Sequence, residues 1–328
     1  GDLVVCEGGE PGRCAIWRDQ IPGMKIQKAL HRVRVKAGLY QEYLYYWFLH
    51  AGRIGALEPY FTGTTIKHLT GRALAELKIP CPPLSVQRSI GEILKSLDDK
   101  IEMNRRMNET LEAMAQAIFR DWFVDFGPVR RKLAGATDPV EILGGITADA
   151  TLAAEFASVF PDRLDDEVPE GWTVEPVLDQ ANWVNGAAYK KMHFVEGGEG
   201  LPVIKIAELK AGITSTTGFT NTDLGARYRI DDGELLFSWS GNPDTSIDTF
   251  IWTGGPAWLN QHIFAVRSNG SRSRAFLFTM LKYLNPTFAE LARDKQTTGL
   301  GHVTKEDLKR LQAVVPPRVV ETAFDDLA

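Results

Sequence analysis

The chain has 328 residues, 44% apolar and 24% charged, which excludes a disordered chain and suits two or three domains at roughly 100–200 residues each. Its formal charge of −5 argues against a polybasic nucleic-acid binder, yet the charge is uneven: residues 1–83 carry 11 Lys and Arg against 7 Asp and Glu, and residues 128–168 carry 4 against 8. Three cysteines without a Cys-x-x-Cys pair or a Cys/His cluster exclude a disulfide framework and argue against a zinc site, so reduced thiols, a cytoplasmic setting and no metal or cofactor are expected.

In chain order, Gly1-Asp2-Leu3 opens directly as a strand, without an initiator Met, so the chain is expected to begin at a cut or internal point of a unit. Thr70 reads as the N-cap of a short helix carrying Leu74 and Leu77, and Pro82-Pro83 closes this first block. Beyond it, Ile90, Leu94, Leu97, Ile101, Asn104, Asn108, Leu111, Ala115, Ile118 and Trp122 follow the alternating 4-3 spacing of a heptad seam. A helix from Val86 to Phe123 at ~1.5 Å per residue is roughly 57 Å long. A lone seam needs a partner helix, and Val320, Phe324 and Leu327 have the spacing of the first turns of one.

Trp122, Phe123 and Phe126 cluster where the long helix ends. They serve either to anchor that end or as a partner-docking surface. Residues 128–168 read as a linker with a weak helical piece from Leu152 to Phe160, and Pro169-Glu-Gly-Trp172 opens a second block. There, 201–206, 234–239 and 263–266 read as strands, 274–284 as a helix, and Thr304-x-x-Asp307 as a capped helix start ending near Pro316-Pro317. The implied domains are 1–83, 84–127, 128–168, 169–317 and 318–328, in an α/β (α+β) fold.

The two blocks are related. Gly1-Asp2-Leu3 matches Gly233-Glu234-Leu235 at an offset of 232, and Val33-Arg34 matches Val266-Arg267 at 233. Thr64, His68, Thr70, Leu74, Leu77 and Pro82-Pro83 match Thr298, His302, Thr304, Leu308, Leu311 and Pro316-Pro317 at 234. Ordered identities with an offset drifting by only two indicate two copies of one unit. Residues 169–232 have no counterpart in the first copy.

Pro82-Pro83-Leu84-x-x-Gln87, Leu97-Asp-Asp-Lys-Ile-Glu102, Asn104-Arg-Arg-Met-Asn-Glu-Thr-Leu-Glu112 and Phe119-Arg-Asp-Trp-Phe-Val-Asp-Phe126 resemble the central conserved region of specificity subunits of type I restriction-modification systems. Pro169-Glu-Gly-Trp172 resembles the start of a target recognition domain of that family. The resemblance implies two target recognition domains joined by a coiled-coil-type helix, each reading half of a split double-stranded DNA site. It also implies methyltransferase and restriction subunits as partners, and no catalysis by this chain. The first recognition domain would lack its N-terminal part and the second helix would be mostly absent.

Catalytic motifs are weak. Gly8-Gly9-Glu10-Pro11-Gly12 lacks the Gly-Lys-Ser/Thr of a phosphate loop, and Ser240-Gly241-Asn242-Pro243 lacks the second proline and aromatic of an adenine methyltransferase loop. DNA contact calls for basic and small polar side chains. The candidates are Thr64, Thr65, Lys67 and His68; Gln296, Thr297, Thr298 and His302 on the matching loop of the second copy; Lys190 and Lys191; Arg227 and Arg229; and Ser240 and Asn242. The alternative from another class is a truncated scaffold that binds methyltransferase subunits through the helix without recognising DNA. A methyltransferase fused to its specificity domain is a weaker third reading.

Overall fold

The computed structural model describes residues 1–19, 21–296 and 300–327. It divides into two compact units, Gly1–Glu109 and Thr110–Ala328.

In the first unit, β1 (Leu3–Cys6), β2 (Cys14–Ile16) and β3 (Leu30–Val33) form an antiparallel sheet ordered β2-β1-β3. Side chains alternate across a strand, so Leu3 and Val5 enter one core with Leu44 and Phe48 of α1 (Gln41–Arg53), joined by Leu57 and Leu69. Val4 and Cys6 point the other way, into an open groove of about 820 Å³ shared with Ala15, Trp17 and Leu30. The short helix α2 (Gly71–Glu76) begins as expected at Thr70, whose hydroxyl accepts from the Ala73 amide at 3.3 Å. Next comes α3 (Leu84–Phe123), one unbroken helix of 40 residues, about 60 Å long. Residues 100–114 are exposed throughout, including Ile101 and Leu111 of the heptad seam.

The second unit is built around the last turns of that helix. Trp122, Phe123 and Phe126 are 0%, 2% and 7% exposed, inside a core with Phe160, Trp172, Phe276 and Phe324. The docking-surface expectation for these three is thereby corrected: they anchor the helix end, since burying three large aromatics contributes far more than leaving them wet. Residues 128–168, expected as a linker, largely fold into that core. They supply α4 (Gly127–Leu133), α5 (Pro139–Ile142) and α6 (Ala150–Ser158), with Val129, Leu143 and Phe156 buried. Arg131 clamps α4 to α3 through two bonds to the Asp121 carboxylate, at 3.0 and 2.6 Å.

The strands that follow are β4 (Leu164–Asp165), β5 (Val168–Pro169), β6 (Thr173–Pro176), β7 (Asn182–Asn185) and β8 (Leu201–Ile204). The expected strand 201–206 stops at Ile204 because Lys205, whose amide donates to the Glu208 carboxylate, starts α7 (Ile206–Ala211). Then come β9 (Phe219–Thr220), β10 (Arg229–Ile230), β11 (Leu235–Ser238), β12 (Ser240–Gly241), β13 (Asp248–Ile251), β14 (Ala257–Leu259) and β15 (Ile263–Arg267). The chain ends with α8 (Arg274–Tyr283), α9 (Asn285–Asp294), β16 (Gly301–His302), α10 (Lys305–Arg310), β17 (Gln312–Val315) and α11 (Arg318–Asp325). The principal sheet runs β13-β11-β15-β7, all antiparallel. Leu235 and Phe237 face the core containing Phe276 and Phe288, while Leu236 and Ala265 share a second core with Ile204, Ile230 and Leu259 of the smaller β10-β14-β8-β9 sheet.

The internal repeat holds at the level of register. In one copy Leu3 pairs with Ile16 and Arg32 with Val4; in the other Leu235 pairs with Ile251 and Ala265 with Leu236. Helices α8 and α10 stand where α1 and α2 stand. The face that Leu236 lends to a second sheet is the one that Val4 turns to the open groove.

Pro83-x-x-x-Gln87 and Pro317-x-x-x-Glu321 form an unforeseen matched pair. Gln87, 1% exposed, accepts from the Tyr40 amide at the start of α1 and donates to Gly38 O and Pro82 O at 3.0 and 2.8 Å. Glu321, fully buried, accepts from the Ser273 amide at the start of α8 and from Arg272 Nη1 at 3.1 Å, and pairs with Arg318. Each residue therefore ties the first turn of the closing helix to the first turn of its unit's sheet-covering helix. Val320 and Phe324 of α11 are buried beside Phe119, Trp122 and Phe123, so α11 packs against the end of α3.

Candidate nucleic-acid interface

The sequence candidates fall in separate places. In the first unit, Thr64, Thr65 and Lys67 are exposed on a loop closed by the Thr62–His68 bridge, and His68 is half-buried. Lys67 lies 4.0 Å from Glu58 and over the Phe61 ring. The His68 ring packs so close to Gly8 that a Cβ there would meet Nδ1 at 3.0 Å.

In the second unit, Lys190 and Lys191 are exposed beside Tyr189, which shares a cluster with Trp258 and Tyr228. Arg227 stacks on Tyr228 at 4.6 Å, and Arg229 is exposed on β10. Arg267 fixes that segment by donating to the carbonyls of Arg227 and Arg229 at 3.0 and 2.8 Å. Two basic segments thus flank one aromatic cluster, an arrangement suited to phosphate and sugar contact.

Ser240 is buried and pairs with His302 across β12 and β16. Asn242 is exposed, but its side-chain oxygen accepts from the Asp244 amide at 2.9 Å, so it shapes the turn after β12. Gln296 is exposed; Thr297 and Thr298 lie outside the described residues. Thr304 and Asp307 form a reciprocal cap at the start of α10.

Sequence reasoning missed a group around Trp239. Its ring lies 5.6 Å from that of His262, 5.8 Å from His302 and 5.7 Å from Phe264, and its Nε1 donates to Asn185 Oδ1 at 2.9 Å. Nδ1 of both histidines is buried with no hydrogen-bond partner among the described residues. Burial, then the neighbouring His302, pulls the His262 pKa below its ordinary value. These side chains come from β7, the β11–β12 junction, the approach to β15 and β16. Only His302 carried a signal, through its match to His68. Indole, imidazole and amide groups at one sheet end offer stacking faces and donor–acceptor edges of the kinds that read bases.

The sequence pattern of the family described as type I restriction modification DNA specificity domain matches residues 12–113 and 169–320. The chain is 25% identical over its whole length to the type I restriction enzyme MjaIX specificity subunit of Methanocaldococcus jannaschii, spanning 70% of that protein. It is 26% identical over 79% of its length to the type I restriction enzyme HindI specificity subunit of Haemophilus influenzae, spanning 64% of that protein. Among solved structures, the type I restriction-modification system S subunit from M. genitalium aligns over 99% of this chain and 75% of its own, at 15% identity and a TM-score of 0.47. With its two matched segments covering most of its length, the chain belongs to the family of type I restriction-modification DNA specificity proteins.

Proposed function

We propose that this chain is a non-catalytic DNA-reading subunit whose two related heads each recognise one half of a split double-stranded site, at a separation governed by α3. The observation that carries the reading is the recurrence of one sheet register, with its covering helix and closing tie, on either side of a single uninterrupted helix. The basic and aromatic segments at 189–191 and 227–229 supply backbone contacts, so affinity falls as salt rises. Methyltransferase and restriction subunits are the proposed partners, following the family, and the chain directs them to the site.

Target selection from random duplex DNA tests the ruler. Deleting Glu102–Asn108 removes seven residues, keeps the heptad in phase and shortens α3 by ~10 Å, about three base-pair steps. The gap between half-sites is expected to contract by about that amount, with the half-site sequences unchanged. An unaltered gap rejects the ruler. The exposed apolar residues on α3, among them Ile93, Leu97, Ile101, Met103 and Met107, favour a second reading as a scaffold for partner subunits. Co-purification with methyltransferase subunits without sequence-selective DNA binding distinguishes it.

A further inference from the structure

One backbone frame occurs in both units and holds different side chains. In the first, the Glu7 amide donates to Ala29 O at 2.8 Å, and Glu7 O accepts from the Leu69 amide at 2.7 Å. In the second, the Trp239 amide donates to His262 O at 3.3 Å, and Trp239 O accepts from the Val303 amide at 2.9 Å. Glu7 and Trp239 are therefore the same position, as are Ala29 and His262, and Leu69 and Val303. The residue before the last pair is histidine in both, His68 and His302. The position after Ala29 and His262 by two residues is His31 in one copy and Phe264 in the other. Each partners its own frame residue: His31 Nε2 lies 3.7 Å from the Glu7 carboxylate, and the Phe264 ring lies 5.7 Å from that of Trp239.

Core positions of the repeat keep apolar character, Leu3 with Leu235 and Val5 with Phe237, as packing demands. At the frame position the chemistry changes outright, from carboxylate to indole, and its neighbours change with it: Lys28-Ala29 against Gln261-His262. Glu7, Trp239, His262, His68 and His302 are all only half-buried or more exposed in part, and Lys28 and Gln261 are exposed. A rigid main-chain cradle with interchangeable occupants is what a reader of variable base edges requires.

We infer that Glu7 and Trp239, with the adjoining pairs Lys28-Ala29 and Gln261-His262, are the specificity-determining positions of the two heads, each set reading the base edges of its own half-site. This rests on the DNA-reading function proposed above. The differing side chains make the two half-sites unequal in sequence.

The test is target selection by the full chain from a pool of random duplex DNA, comparing the unmodified protein with Gln261→Lys/His262→Ala and with Glu7→Gln. The double variant installs residues that the frame already holds in the first copy, so folding is preserved, which thermal denaturation checks. The expected result is an about tenfold loss of discrimination at bases of one half-site for the double variant, and of the other half-site for Glu7→Gln. In each case the opposite half-site stays as in the unmodified protein. Unchanged base preferences in variants that still select sites overturn this inference alone. A uniform loss of affinity across all sequences also overturns it, since that marks a structural role. Absence of any selection by the unmodified chain overturns the DNA-reading function and this inference with it.

Discussion

Replacing Glu321 with alanine isolates the buried tie at the start of α11. The side chain is fully buried and accepts from the Ser273 amide and from Arg272, whose side chain is 11% exposed. Alanine leaves an unpaired amide, worth about 1–3 kcal/mol, and removes the counter-charge of a nearly buried guanidinium, a loss of about 3–5 kcal/mol when nothing else holds the cation. Arg272 keeps its bonds to Gln180 Oε1 and Pro316 O at 3.0 and 3.2 Å, so the lower end of each range applies and the total is about 4 kcal/mol. Glu321→Gln restores an acceptor for Ser273 and, by analogy with Gln87 and Pro82, a donor for Pro316 O; its expected cost is about 1–2 kcal/mol. Urea denaturation followed by tryptophan fluorescence measures both, since six of the eight tryptophans lie in residues 110–328. A cost below about 1 kcal/mol for alanine, or equal costs for the two variants, refutes the account.

Two further outcomes follow from the second unit. Trp122→Ala removes a fully buried indole that packs 4.9 Å from the Phe160 ring, and is expected to cost about 3–5 kcal/mol by calorimetry or urea unfolding; wild-type stability with impaired partner binding would restore the docking role. Burial alone would push the Asp307 carboxyl up, but hydrogen bonds from Lys295 and from the Thr304 hydroxyl and amide outweigh it and hold it below the usual range. Because the folded pKa is depressed, the stabilisation is present above the unfolded value of about 3.9 and is lost as pH falls through the folded one. Asp307→Asn is therefore less stable than wild type at neutral pH, and the difference closes on acidification below about pH 4; parallel stability–pH curves would contradict this.

The sequence was most legible where the signal is local. The heptad spacing located α3 to within two residues at its start, and Thr70 and Thr304 marked their helices because a cap is written in four adjacent residues. The repeat was visible because its offset barely drifts. What escaped were contacts that close across long loops. Gln87 sits in a motif that was read for family likeness, but its role depends on an amide 47 residues away. Trp239, Asn185 and His262 meet only once three strands are in register, so no window of sequence holds them together. The stretch 128–168 reads as a linker because its helices are short and the segments between them acidic, while its buried Val129, Leu143 and Phe156 are too widely spaced to show a period.

The bare stretch of α3 has a mechanical consequence. From Glu92 to Phe123 the helix contains neither proline nor glycine, the usual causes of a sharp kink, and Gln87 latches its first turn to α1. Bending of the exposed stretch, residues 100–114, is then expected to be spread as gentle curvature along the helix.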